Sequence, residues 1–257
     1  MSSAGIVAGQ VSYEQKSFWR NPGSAFFAFL FPIIFLVVFA TLFKGSTAPV
    51  GNTTVPYDDY YIPALVAFGV MGACFTNIAM SLSIRRDSGV LKRFRGTPLP
   101  PWALIAGVVG SSIIVSIILV LLTTIFGIVV YNVHAPQHID AVVVCVAVGA
   151  LAFCALGMAM TIVIPNADAA PAIVNAVFLP IVFISGTFFP VPSSSVLAQI
   201  AEVFPVRHFI NAMFTAFDPA HQSSSGFNST DLLIMAAWGA GAVVIASLRF
   251  RWEPNKV

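Results

Sequence analysis

Long apolar runs alternate with short polar segments along the chain, and run length decides what each run can become. A helix needs roughly 20 apolar residues to cross a bilayer core, and six runs approach that length: 25–43, 61–84, 102–130, 139–164, 170–189 and 232–248. Lys44, Gly45 and the polar stretch to Asp59 close the first run. Pro63 falls in the first turn of the second, where a proline removes no needed hydrogen bond, and Arg85 with Arg86 stops that run. Pro101 precedes the third and Pro165 ends the fourth. Asn166 and Asp168 suit the cap of the fifth helix, with Pro171 in its first turn and Pro180 as an internal kink. From 193 to 217 the residues are apolar but broken by Glu202, Pro205, Arg207 and His208, which predicts two short helices lying on or dipping into one face of the bilayer. The pattern predicts a single all-α integral membrane domain over 1–257 with six transmembrane helices.

Composition strengthens this picture. Of 257 residues, 58% are hydrophobic and 9% charged, against about 25% charged in a soluble domain. The formal net charge of +2 gives no support to nucleic-acid binding. The positions of the charges say more. Lys16, Arg20, Arg85, Arg86, Lys92, Arg93, Arg95, Arg249, Arg251 and Lys256 fall on one side of a six-span layout, and Lys44 and Arg207 on the other. Basic loops are retained in the cytoplasm, so an even number of spans with both termini cytoplasmic is expected. The first ten residues lack the basic and long apolar regions of a secretory signal and read as a cytosolic tail.

Most catalytic chemistry lacks its residues. The phosphate-cradling G-x-x-x-x-G-K-[ST] is absent, as is G-x-S-x-G. His134 and His138 are separated by Pro136 in what reads as a solvated loop, and Cys74, Cys145 and Cys154 sit singly in apolar runs as small hydrophobes. No Asp, Glu, Lys or Arg occupies the middle of a span, which argues against an ion relay. Scattered polarity remains: Thr76 and Asn77 in the second span, Thr123 and Thr124 in the third, and Asn175 in the fifth. An asparagine amide facing lipid would leave its donors and acceptors unpaired. Asn77 and Asn175 therefore face either neighbouring helices or a substrate path, and Thr76 and Phe178 join the candidates for such a path. Small residues four apart, Ala155 with Ala159 and Ala237 with Gly241, suit close helix packing.

The loop after the second run reads Arg85-Arg86-Asp87-Ser88-Gly89-Val90-Leu91-Lys92-Arg93-Phe94-Arg95-Gly96-Thr97-Pro98-Leu99-Pro100. It resembles the cytoplasmic signature between the second and third spans of ABC-2-type transporter permeases. The stretch Leu179-Pro180 through Ile184-Ser185-Gly186-Thr187-Phe188-Phe189-Pro190, then Phe204-Pro205 and His208-Phe209, is similar to that family's fifth span and returning outer helices. The resemblance covers residues from about 11 to 248. It implies the membrane subunit of an ATP-binding-cassette exporter of the type V kind, such as daunorubicin-resistance or polysaccharide exporters, in a multi-pass bacterial cell-membrane setting. The implied partners are a separate P-loop ATPase, a second permease copy or paralogue, and membrane lipids. No cofactor is expected on this chain, with ATP and Mg on the partner subunit.

Under the resemblance, the loop carries a cytoplasmic coupling helix, and Asp87, Gly89, Val90, Leu91, Arg93, Phe94, Arg95, Thr97 and Pro98 are its candidate ATPase-coupling residues. Val90, Leu91 and Phe94 form an apolar stripe flanked by basic residues, which suits a groove on an ATPase or a membrane surface of anionic headgroups. Residues 11–20, with Trp19, resemble an interfacial connecting helix and equally suit a juxtamembrane helix with an aromatic anchor. The cargo expected is amphipathic, drug-like or lipid-like. The rival readings are a channel or secondary carrier working without an ATPase, and a membrane-anchored assembly factor.

Overall fold

The computed structural model describes residues 3–50, 53–94, 96, 99–191, 195–218, 225–250 and 252. Helix starts earlier than the expected tail allowed: α1 (Ser3–Trp19) already includes residues 3–10, and it packs along the long helix Pro101–Tyr131, with Gln10 against Gly107. A four-residue α2 (Pro22–Ala25) runs through a π-helical segment, Phe26–Leu30, into α3 (Phe31–Leu42), so the first apolar run forms one unbroken helical rod. The following polar stretch is not merely a connection. Its two Thr/Val-containing tetrapeptides, β1 (Thr47–Val50) and β2 (Thr53–Pro56), pair antiparallel with Thr47 opposite Pro56. This hairpin is the one addition to the all-α expectation among the described residues.

The second run forms the central rod. α4 (Tyr57–Met71), a π-helical segment Gly72–Thr76, and α5 (Asn77–Asp87) make one 31-residue helix, about 46 Å long at 1.5 Å per residue. It begins before the apolar run because Asp58 and Asp59 lie in its first turn, where carboxylates oppose the positive end of the helix dipole. Pro63 therefore sits in the second turn, and Arg85 and Arg86 lie within the last turn rather than beyond it. Next come α6 (Val90–Phe94), α7 (Pro101–Tyr131) and α8 (Ile139–Met160), the last ending four residues before the expected stop at Ile164. α9 (Ala170–Ile184) contains Pro180 and closes before 185–189, which turn instead of extending the helix. Two short helices follow as expected, α10 (Val196–Ala201) and α11 (Pro205–Phe217), and α12 (Ser229–Arg249) completes the chain.

Among the described residues, four helices are long and apolar enough to cross a membrane: Tyr57–Asp87, Pro101–Tyr131, Ile139–Met160 and Ser229–Arg249. Two shorter apolar helices, Phe26–Leu42 and Ala170–Ile184, occupy the first and fifth expected spans. The central rod is buried almost all round, with α3, α7, α8 and α11 packed against it. α11 turns Val206, Phe209, Ile210, Met213 and Phe217 inward onto α4, α8 and α12. The α8–α12 crossing is close because Gly239 lies against the Ala152 backbone, where a Cβ would stand 3.0 Å from Ala152 Cα. Ala237 and Gly241 face outward, and the small residues that α12 buries are instead Gly239, Ala242 and Ala246; of the other expected pair, Ala155 is buried and Ala159 half-buried.

Candidate substrate cavity and coupling face

The π-helical segment of the central rod carries Thr76 at its end, and α5 opens on Asn77. Thr76 Oγ1 is buried with no hydrogen-bond partner among the described residues. Asn77 reaches only Ser112 Oγ on α7, at 3.5 Å, the outer limit of a hydrogen bond. From α9, Asn175 and, one turn later, the buried Phe178 approach the same space. All four candidate path residues line one cavity of about 650 Å³, within the range of small-molecule sites. Its remaining wall is apolar apart from Asn21, which adds a third amide, and includes Phe18, Phe27, Phe31 and Phe68, the last packed on Phe178 with ring centres 5.5 Å apart. No Asp, Glu, Lys or Arg appears in that wall among the described residues. Polarity of this kind suits a ligand with a large apolar body and a few uncharged hydrogen-bonding groups.

One end of the central rod holds the candidate coupling residues. Three consecutive side chains there reach three different elements. Arg85 donates from Nη1 and Nη2 to the Glu14 carboxylate of α1, at 2.7 and 2.6 Å. Arg86, almost fully buried, donates to the carbonyls of Thr161, at 2.7 Å, and of Ile164. These carbonyls lie just past the end of α8, where a helix runs out of its own donors and a cation is favoured by the dipole. Asp87 Oδ2 accepts from Ala167 N at 2.9 Å, in the turn that leads to α9.

Gly89 then takes φ +72, a conformation open to glycine at little cost, and reverses the chain into α6. The expected docking stripe is corrected here. Leu91 is fully buried in the chain's own core and Phe94 packs against that core, because α6 folds back beneath α5. The outward face of α6 is basic, with Lys92 and Arg93 exposed and Val90 half-buried. Arg95, Thr97 and Pro98 lie outside the described residues.

A sequence model of the ABC-2 type transporter family matches residues 11–217, spanning the cavity, the coupling segment and both short helices. The chain belongs to the ABC-2 type transporter family. It is thus a multi-pass membrane permease of an ABC transporter, a transport component that partners an ABC ATPase and is not itself the catalytic subunit. A comparison with curated proteins gave no match.

The opposite end of the permease carries polar contacts that sequence reasoning missed. His134, expected in a solvated loop, pairs with the buried Asp59 through Nδ1 at 3.0 Å, and its backbone N donates to the same carboxylate at 3.0 Å. His138 N donates to Ala216 O at 3.2 Å, which ties the loop to α11. His208 of α11 is buried with both ring nitrogens facing acceptors, Asp231 Oδ1 at 2.6 Å and Glu202 O at 2.8 Å. Asn228 Nδ2 donates to the second Asp231 oxygen at 2.6 Å. Tyr60 donates to Gly186 O, and Arg207 to Ser185 O at 3.2 Å, which anchors the turn after α9 to α4 and α11. The three cysteines are buried and free, and no group of His, Cys, Asp or Glu suited to a metal occurs among the described residues.

Proposed function

We propose that the permease is one half of an ATP-driven exporter that takes an amphipathic, drug-like or lipid-like substrate from the cytoplasm or inner leaflet into the 650 Å³ cavity and releases it on the far side. The observation that carries this reading is the convergence of Thr76, Asn77, Asn175 and Phe178, from two helices far apart in sequence, on one uncharged cavity. An unpartnered buried hydroxyl in such a wall is costly unless a ligand or water completes it.

In this reading six helices cross the membrane. The first span gains length from Pro22 onward, and the 15-residue α9 is accommodated by local bilayer thinning, which costs only fractions of a kcal/mol per Å. Both termini and α6 face the cytoplasm of a bacterial cell. A second permease copy or paralogue completes the assembly, and ATP with Mg binds the partner ATPase subunits.

Coupling runs through the basic outer face of α6. Lys92 and Arg93 meet the ATPase, while Leu91 and Phe94 lock α6 to the bundle so that a push on it is not absorbed locally. Arg85, Arg86 and Asp87 then pass the displacement to α1, the end of α8 and the start of α9. The test is stoichiometric co-purification of a P-loop ATPase from the native membrane, followed by ATP-driven transport in vesicles. Asn77→Leu and Asn175→Leu should change which substrates move while ATPase pull-down persists. Substrate movement at the same rate without the ATPase would overturn the reading in favour of a channel or carrier.

A further inference from the structure

Next to the aromatic cavity, toward the Arg85 end of the central rod, lies a second chamber of about 160 Å³. The two spaces share Phe18, Asn21 and Asn77 in their walls, so Asn77 stands at their boundary. Their chemistry differs sharply. Rings dominate the larger space, whereas Glu14, Ser17, Ser81, Arg85 and Ser111 line the smaller. We propose that the smaller chamber is a headgroup subsite for an uncharged, hydroxyl-rich, sugar-like group whose apolar tail fills the larger cavity. This inference rests on reading the larger cavity as the substrate cavity.

Charge balance argues for a neutral headgroup. Glu14 is buried and meets Arg85 fork to fork, at 2.7 and 2.6 Å, so the two formal charges cancel at the chamber wall. A headgroup with net charge would lose its hydration there without finding an uncompensated opposite charge. The pair nonetheless keeps hydrogen-bonding capacity. A carboxylate offers about four lone-pair sites, and among the described residues Glu14 uses three, for the two Arg85 bonds and one from Gln10 Nε2 at 3.1 Å. A guanidinium carries five N–H donors, of which two engage Glu14.

Around this pair two neutral groups are held loosely, while Ser111 Oγ accepts from Gln15 Nε2 at 3.0 Å. Asn77 has its 3.5 Å contact with Ser112, and Ser81 Oγ a 3.5 Å contact with Ile78 O, both at the limit of hydrogen bonding. Donors and acceptors thus surround one small room, and a hydroxyl is the group that satisfies both, since it donates one bond and accepts two. The room is worth roughly five waters at their liquid volume, which one ring with its hydroxyls can replace.

The experiment uses the permease with its ATPase in nanodiscs and an octyl glucoside carrying a photoreactive diazirine at its tail end. Labelling should map to Phe27, Phe31 and Phe178. Unlabelled competitors with the same chain then rank the headgroup: octyl glucoside should compete at least tenfold better than octyltrimethylammonium or octyl phosphate. Glu14→Gln uncovers the Arg85 charge and should shift the ranking at least tenfold toward octyl phosphate. Arg85→Gln should shift it toward octyltrimethylammonium. Ser81→Leu, which leaves the ion pair in place, should weaken octyl glucoside at least fivefold and leave octane competition unchanged, and it decides the matter if the charge variants fail to assemble. A ranking without preference for the glucoside, or one that no assembled variant alters, would overturn the headgroup subsite while labelled phenylalanines keep the substrate cavity. Labelling confined to residues outside the cavity would overturn both.

Discussion

At the end of the bundle that carries α6, three adjacent residues of one helix hold three separate elements, whereas at the opposite end the polar contacts are shared between α4 and α11. Arg85, Arg86 and Asp87 form a single node: move that stretch of α5 and α1, the end of α8 and the approach to α9 must all respond. Among the described residues, the far end divides its contacts between two helices. Asp59 and Tyr60 of α4 hold His134 and the turn after α9, while Arg207 and His208, adjacent on α11, hold that same turn and Asp231 of α12. The contrast suits a machine driven from one side, where displacement is gathered at one point. The other side is held from two helices, which share the turn after α9.

The largest break is expected at the node. Arg86→Leu removes two charge-assisted hydrogen bonds from buried carbonyls, and at roughly 1.5–3 kcal/mol each the loss should be about 3–6 kcal/mol, measured as a lowered unfolding transition in matched micelles. Full wild-type stability in that variant would mean that the node does not hold α8. At the far end, His208→Leu removes a short contact with a carboxylate that keeps Asn228 as a donor and a second contact with Glu202 O, so a loss of about 2–4.5 kcal/mol is expected in the same assay. Asp59→Asn should cost only ~0–1 kcal/mol, because the His134 side chain is 59% exposed. If that loss equalled the one at Arg86, the contrast between the ends would collapse. The smallest structural effect belongs to Arg93→Gln on the exposed face of α6. Stability should stay within about 0.5 kcal/mol of wild type, yet ATPase pull-down should weaken, with its salt dependence reduced as a screened charge contact is lost. An unchanged pull-down across salt would remove Arg93 from the coupling face.

The sequence made the long helices readable where an apolar run met unambiguous stops. Pro101 and the polar Asn132 bracket α7 within a residue or two of its expected limits, and α12 is similarly close. Boundaries failed where polar residues belong to a helix for electrostatic reasons. Tyr57, Asp58 and Asp59 look like loop, but they form the first turn of α4. The hairpin had a local signal, Gly51-Asn52 between two Thr/Val-containing tetrapeptides, which the prolines at 49 and 56 obscured. In the cavity, the rule that mid-span amides avoid lipid drew attention to Asn77 and Asn175, both of which line it. That rule cannot choose Phe27 and Phe31 from 23 phenylalanines, since periodicity does not say which side of a rod faces a void. Leu91 misled because an apolar stripe on a short helix looks the same whether it awaits a partner or covers the chain's own core. Glu14 went unremarked because its partner lies 71 residues away.

The docking of α1 also fixes an order of events during synthesis. Its anchors are Arg85 for Glu14 and Ser111 for Gln15, the second 96 residues downstream. At translation speeds of about 5–20 residues per second, α1 leaves the ribosome several seconds before its second anchor and waits with nowhere to dock. Its carboxylate cannot enter the hydrocarbon unpaired, so it must lie at the lipid–water boundary until α5 has been threaded and α7 has followed. Correct docking of α1 therefore reports on emergence of α7, and a chain stalled before Ser111 would leave α1 undocked at the membrane surface.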